Sequence, residues 1–543
     1  MLFRRRIYGA IAALGLVVAI VVFLDVRGIT GSFLSDDFAH LHVIAHMDRD
    51  HALGAWVLAR FVEPLGSGNF AYRPIVFLCY AIEWRLFGAW AAGWRITSLL
   101  VHLANIAIVF VVVSRWTSGQ TRGLATGVSA AALFAAFPFA GEVTFWPGGR
   151  AELLTALFSL LFLASLNGGP GRASIPRQIL RIAALIAALL SRESAMPLPV
   201  IALFIDTALA RAQRSQDVEQ QWLASLRFAA RDLAPSWIAF AGYLAWRMSL
   251  FGTPFKVYPA SSPPASVNEY FERLSSFGAL LRSHPGLDPP WLWALVAGAL
   301  SLALVSAWAI GIRERPHAQT LLAGACCLGA LVYLFAPALS FHAAAASGEG
   351  ARNYYVAWIY VSMALGFAAG ASRVGSLLGV AAVGWMLVGQ HGSVKQWQDA
   401  ARQMRDVIAA IPTWAERRDP DEYALLLLPD HIGVALFARS AEGSIVDWPI
   451  QTRSYLNVAA GMTEPDIPGW RKHFPDGAIA QLKGVPHFDM ERFVGVFCWS
   501  PAKRDFVQVS AGGPVVDFDA WERTVRSGVG RASCLPGTLE GSP

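Results

Sequence analysis

The sequence predicts a polytopic α-helical membrane protein that carries a small soluble α/β domain at its C-terminal end. Three observations predict it. Of the 543 residues, 55% are hydrophobic and only 15% charged, where a soluble domain carries about 25% charged residues. Apolar runs near spanning length recur through the first 390 residues. Arginines cluster between alternate runs, as the positive-inside bias requires.

The first element is Arg4-Arg5-Arg6 followed by an apolar run from Ile7 to Leu24. Asp25-Val26-Arg27 follows in place of a small-residue cleavage site, so the run is expected to stay as a signal-anchor helix. Further spans are expected at 96–113, 124–140, 150–166, 178–190, 195–210, 231–251, 291–311, 319–340, 355–371 and 374–390. With the N-terminus inside, these eleven spans place Arg115, Arg122, Arg172, Arg177, Arg211, Arg214, Arg313, Arg315 and Arg373 on the cytoplasmic side. The 74–89 segment is short, and Glu83 and Arg85 interrupt it. It is assigned as a juxtamembrane helix on the outer face, because counting it as a span would turn every later arginine outward.

The membrane domain is expected to cover 1–390 and the C-terminal domain 391–543. An amphipathic helix is expected near 394–411, and Tyr423 to Asp430 should form a buried strand followed by a helix. Cys79, Cys326 and Cys327 sit in apolar segments as packing residues. Cys498 and Cys534 either pair, if their compartment is oxidising, or remain two thiols.

Composition also excludes functions. The formal charge of +6 is accounted for by loop arginines, and no basic run interleaved with aromatics points to nucleic acid. No zinc-type Cys/His spacing and no phosphate-cradling glycine loop stands out, which argues against a nucleotide-activated donor or ATP. No cofactor is required by any motif; a divalent cation is left open.

The residues that carry chemistry fall in the outer loops. Asp36-Asp37 follows the first span. Helix capping would explain one acid; a second at a membrane face marks a site, where a carboxylate can act as general base. Arg73 opens the 74–89 segment, with headgroup contact as its plain role and phosphate binding as its functional one. Glu142, Arg150 and Glu152 crowd one outer turn, where Glu142 and Arg150 either form a weak surface pair or line a cavity. Arg192 and Glu193 lie in a short turn between two short spans. They form a structural pair, or Arg192 presents its fork to a phosphate. Arg352 precedes Tyr354 and Tyr355, which suit an aromatic belt or a lipid headgroup. His102 and Asn105, three apart on one helical face, are expected to bond between helices.

The order of these motifs resembles the GT-C class of integral-membrane glycosyltransferases, above all the protein O-mannosyltransferase relatives that carry TPR repeats, and their bacterial cousins. The matching stretches are Asp36-Asp37, Tyr72-Arg73-Pro74 through Leu86-Phe87-Gly88, Leu99 to Asn105, and Glu142 to Leu153. Ser191-Arg192-Glu193-Ser194 matches with Arg where those relatives carry Lys, and Arg352 to Tyr355 closes the series. The resemblance spans roughly residues 30–360. No 34-residue repeat follows residue 390, so the TPR array is absent.

The resemblance implies a transferase that takes a sugar from a polyprenyl-phosphate donor on the outer face, with inversion. It implies Asp36 as the base with Asp37 as alternate, and Glu142 near the acceptor. Arg192, with Arg73 and Arg352, would hold the lipid phosphate, while Arg150, Glu193 and Tyr354 would line the substrate site. It also implies a bacterial inner membrane, with the site and C-terminus facing the periplasm. The acceptor stays open among glycan, lipid and protein. The competing classes are a polar-lipid transporter or flippase, a lipid-linked glycan polymerase or ligase, and a membrane scaffold. No internal symmetry of the kind transporters show is evident.

Overall fold

A computed structural model of the chain describes residues 2–26, 28–64, 71–118, 122–166, 173–212, 220–253, 264–282, 318–335, 350–433, 435–438, 442–455, 458–462, 492–513, 517–532 and 534. The expected span at 291–311, Arg172, Arg214, Arg313 and Arg315 lie outside these residues.

The described residues are mostly helical. Helices α1 (Leu2–Val26), α2 (Asp37–Arg49), α3 (Leu53–Val62), α4 (Pro74–Phe87), α5 (Ala91–Trp116) and α6 (Gly123–Ala135) come first. A short α7 (Ala140–Thr144), α8 (Arg150–Ala164), α9 (Ile175–Ser191), α10 (Leu198–Ala212), α11 (Gln220–Asp232), α12 (Ala234–Phe251) and α13 (Val267–Arg282) follow. Then come α14 (Ala318–Phe335), α15 (Tyr355–Ala371) and α16 (Arg373–Glu416). Among the described residues, five helical segments are long and apolar enough to cross a membrane: Ala91–Trp116, Pro147–Ala164, Glu193–Arg211, Ala351–Ala371 and Arg373–Glu416. The chain is an integral membrane protein on this ground. Large apolar side chains such as Leu100, Val111, Leu377 and Val388 on these helices, and Leu16, Ile179 and Ile238 on α1, α9 and α12, stay exposed, as lipid contact allows but water does not favour.

Helix α6 stops at Ala135, short of the expected 140. Phe137 precedes Pro138, and a residue before proline is pushed out of the α region. The chain then turns through α7 rather than continuing a span. One core gathers α5, α6, α8, α9, α10, α14 and α15, with Phe134, Leu160, Leu185, Ile205, Tyr355 and Tyr360 fully buried. His102 on α5 bonds the Tyr355 hydroxyl at 2.7 Å, and the Asn105 amide donates to the same hydroxyl at 3.3 Å. These are the interhelical bonds expected of that pair.

A second core joins the first outer loop to the tail. Phe33, Leu34, Phe38 and Leu41 pack with Trp397, Met404, Ile411 and Trp414 of α16 and with Leu426, Leu436, Phe437 and Phe497. The amphipathic stretch expected at 394–411 is the outer half of α16, so the expected division at 390/391 falls inside one unbroken helix. The tail forms a sheet in the order β4-β1-β5-β6, from β1 (Tyr423–Leu427), β4 (Val458–Met462), β5 (Phe493–Ser500) and β6 (Asp505–Ala511). Its β1 pairs in parallel with β4 and β5, while β5 and β6 run antiparallel. Helix α17 (Phe518–Arg531) packs on β6, and Cys498 is disulfide-bonded to Cys534.

The strand expected at Tyr423 is present, but the described residues directly after it form a hairpin rather than the expected helix. Pro429 ends the strand, and Gly433, at φ +59°, turns the chain into a small hairpin of β2 (His431–Ile432) and β3 (Ala435–Leu436). That positive φ suits glycine.

Candidate active site

The site is built on four short segments that meet at the outer ends of the helices: the turn before α2, the 142–152 turn, the 191–193 turn and the 350–354 turn. Ser35 adopts a left-handed φ of +55°, a conformation that costs a non-glycine residue about 1–3 kcal/mol. It is fully buried, and its N–H donates to the Phe437 carbonyl at 2.8 Å. The tail therefore holds this turn in place. Arg95 holds it from below, donating to the carbonyls of Gly31 at 2.7 Å and Phe145 at 3.0 Å, and to that of Ser32.

This turn separates the two acids. Asp37 is buried; its Oδ2 accepts the Leu34 N–H at 3.2 Å and its Oδ1 the Gly148 N–H at 3.0 Å. Burial, and then the adjacent Asp36 carboxylate, push the Asp37 carboxyl well above the usual carboxylate range. Asp36 stands at the N-cap position of α2, yet its side chain caps nothing. Its Oδ1 is buried and without a hydrogen-bond partner among the described residues. Capping, the plain explanation for one acid of the pair, therefore does not account for the Asp36 carboxylate. One turn on, His40 packs on Tyr80 and Phe77. Burial lowers its proton affinity, and Asp36 and Arg73 are the charges that act on it.

The 142–152 turn links the acids to the arginines. Gly148 binds Asp37, as above. Gly149 has no room for a side chain, because a Cβ there would lie 2.7 Å from the Glu142 carbonyl. Glu142 accepts the N–H groups of Gly350 at 3.1 Å and Arg352 at 2.9 Å, and pairs with the Arg352 guanidinium. It positions the 350–352 turn. Arg352 also lies over Trp146, 4.5 Å from its centroid, and 3.3 Å from Glu152. Glu152 pairs with Arg192 too, whose guanidinium donates to the Asn353 amide oxygen at 2.7 Å. One buried glutamate thus holds two arginines side by side.

Glu193 does the same on the other flank. It accepts the Tyr72 N–H at 2.6 Å and lies 3.5 Å from Arg73 and 3.4 Å from Arg247 of α12. Among the described residues, four arginines (Arg73, Arg192, Arg247, Arg352) face three glutamates (Glu142, Glu152, Glu193). Arg73 and Arg352 keep about a fifth of their side chains exposed, so the cluster is reachable.

Arg150 does not belong to this cluster. The surface pair of Glu142 with Arg150, one of the two arrangements open to them, does not form: Glu142 pairs with Arg352, while Arg150 is fully buried against Glu83 and donates to the Trp94 carbonyl at 2.8 Å and the Ser98 hydroxyl at 3.0 Å. Enclosed on every side, its guanidinium cannot reach a substrate in this arrangement. Replacing Arg150 by methionine should cost about 3–5 kcal/mol, because it strands the buried Glu83 carboxylate. Adding Glu83→Gln should recover a large part, which thermal unfolding of the detergent-purified variants would show. Tyr354 closes the 351–354 turn and is half-buried against the first core.

Sequence inspection did not select Arg247, Asn353, Trp146 or Arg95. Arg247 sits in the apolar α12, where a charged residue was itself a usable signal. Arg95 lies just before the expected 96–113 span, near the start of α5. Trp146 and Asn353 carried no signal apart from their neighbours.

No protein-family model matches the sequence, and neither does any curated protein. Solved structures do resemble it. The crystal structure of ArnT from Cupriavidus metallidurans bound to undecaprenyl phosphate has 13% identity over 78% of this chain and 84% of that one, with a TM-score of 0.44. The apo ArnT structure gives 15%, the same coverage and 0.45. The Archaeoglobus fulgidus oligosaccharyltransferase, in complex with Zn and sulfate, gives 15% over 76% of this chain and 60% of that one, with a TM-score of 0.42.

Proposed function

We propose that the chain is an inverting glycosyltransferase that moves a sugar from a polyprenyl-phosphate donor to an extracytoplasmic acceptor. The observation that carries this reading is a division of labour on one scaffold. Asp36 offers a carboxylate that nothing caps, and the 142–152 turn, which binds its neighbour Asp37, also holds Arg192 and Arg352. Asp36 takes the proton from the acceptor hydroxyl as that oxygen attacks the anomeric carbon. The bond from that carbon to the phosphate oxygen breaks through an oxocarbenium-like transition state. Arg192 and Arg352 receive the charge that grows on the departing lipid phosphate; Arg73 flanks it. Glu142, Glu152 and Glu193 fix the arginines rather than touch the sugar.

The Cys498–Cys534 disulfide supports an oxidising compartment for the tail. The favoured setting is the inner membrane of a bacterium, with site and tail facing the periplasm. Membranes containing the chain, supplied with a panel of labelled polyprenyl-phosphate sugars, should move label from one donor into an acceptor fraction and release polyprenyl phosphate. Donors that all stay intact in the presence of periplasmic extract would sink the reading.

A further inference from the structure

The helix that begins at Asp36-Asp37 carries a second set of polar side chains that the transfer reaction does not use. His42 and His46 stand one turn apart on α2, with ring centroids 4.1 Å apart. Asp447, four hundred residues later in the chain, faces them from the tail, its Oδ2 3.5 Å from His42 Nδ1. The spacing on α2 is a histidine pair at i and i+4, and the third group comes from a distant loop.

The hydrogen bonds around the three groups leave ligand atoms turned inward. His46 Nδ1 bonds the His42 carbonyl at 2.8 Å. A carbonyl only accepts, so Nδ1 carries the proton and Nε2 keeps its lone pair. A second ring nitrogen tied to a backbone carbonyl is the usual support of a metal-bound histidine. Asp447 Oδ1 accepts the Trp448 N–H at 2.7 Å and the Ser454 hydroxyl, which turns Oδ2 toward His42. His42 Nδ1 is buried and makes no hydrogen bond among the described residues. One ligand atom from each of the three lies within 4.8 Å of the others. Around a tetrahedral zinc ion, with bonds of about 2.0–2.2 Å, neighbouring ligands sit about 3.3–3.5 Å apart. The His42–Asp447 separation already fits, and small side-chain rotations bring in the rest. Trp448 stands edge-on to His46 at 5.3 Å, and the Arg49 guanidinium lies 5.1 Å from the centroid of that indole, so the cluster is walled on that side.

We propose that His42, His46 and Asp447 bind one divalent transition-metal ion of the zinc type, separate from the arginine cluster. Two imidazoles and one carboxylate favour zinc over magnesium or calcium, which take oxygen ligands. Three protein ligands leave a fourth position for water or an anion. The ion would clamp α2 to the tail. The Ser35–Phe437 bond fixes the start of that helix, and the metal would fix its second and third turns, so the tail would set the placement of Asp36 at two points.

The test uses the full chain, purified in detergent through a tag without histidines and stripped with a chelator. Cobalt(II) added to it should give the visible absorption of a tetrahedral site at one equivalent. Zinc should displace the cobalt, and an excess of magnesium should not. Zinc should also raise the melting temperature, as any ligand of the folded state does. His46→Gln and Asp447→Asn should each weaken cobalt binding by about a hundredfold or more, which is at least the effect seen on losing an outer-shell partner. X-ray absorption of the zinc-loaded wild type should show two imidazoles and no sulfur, a readout that needs no variant to fold. Absence of the cobalt band in the wild type, sulfur scattering, or variants that bind like wild type would each overturn the proposal. None of these measurements depends on transfer activity, so the site stands or falls separately from the glycosyltransferase reading.

Discussion

Asp36→Asn should abolish sugar transfer, lowering kcat by about 10²- to 10⁴-fold, the range that a positioned general base contributes. The fold should survive the change. Asp36 caps nothing, and its Oδ1 has no hydrogen-bond partner among the described residues, so asparagine breaks no bond that the structure shows there. Asp37→Asn should behave in the opposite way. Asparagine keeps one acceptor oxygen for two donors, the Leu34 and Gly148 N–H groups, and the lost bond costs about 1 kcal/mol. Stability should drop by that amount, while transfer should fall by no more than about tenfold. Acid pH adds a signature. The Asp37 carboxyl is raised in the folded chain, so the folded chain holds a proton that the unfolded chain has released. Its contribution to stability is full below the unfolded value of 3.8 and declines as pH climbs through the raised folded value. Asp37→Asn should remove that decline, and Asp36→Asn should only lessen it, because burial is the larger cause of the shift and the Asp36 charge the smaller. Equal losses of transfer in the two variants, measured as initial rates at saturating donor, would refute the assignment of Asp36 as the base.

How much of this could be read from the sequence depended on whether a contact was local. The helices announced themselves because each span needs its own apolar run, and α5, α12 and α15 lie where the runs do. The acids and arginines of the site were visible because charge at a membrane face is costly. Their pairing was not. Glu142 lies eight residues from Arg150 yet pairs with Arg352, and Arg150 pairs with Glu83. A turn that looks self-contained in sequence is divided between two long-range partners, because Gly149 lets its backbone fold tightly against Glu142. The helix expected after Tyr423–Asp430 failed for a local reason that was present but underweighted, the Pro429 and Gly433 of a hairpin. The bond from Ser35 to Phe437 had no local signal at all.

The second large effect concerns the arginines. Arg192→Gln should reduce kcat/KM by about 10²- to 10³-fold, the cost of removing one preorganised donor to charge that develops in the transition state. Arg192→Lys should recover only part of it, since an ammonium restores the charge without the planar fork that meets both Glu152 and Asn353. The decisive comparison is Glu152→Gln. Glu152 joins Arg192 and Arg352, so it is not a phosphate ligand but the group that keeps two cations together against their mutual repulsion. If it acts only on the arginines, Glu152→Gln should lower transfer in the wild-type background and have little further effect once Arg192 is already glutamine. That non-additivity is the mark of groups in one network. Fully additive losses would mean that Glu152 meets the substrate by itself. Donor-concentration dependence sharpens the test. An arginine that stabilises the departing phosphate lowers kcat when removed, whereas one that only anchors the lipid headgroup raises KM and leaves kcat alone. Arg192, held between a buried carboxylate and an amide, should show the first pattern. Arg73, a fifth exposed and held at 3.5 Å by Glu193, should show the second.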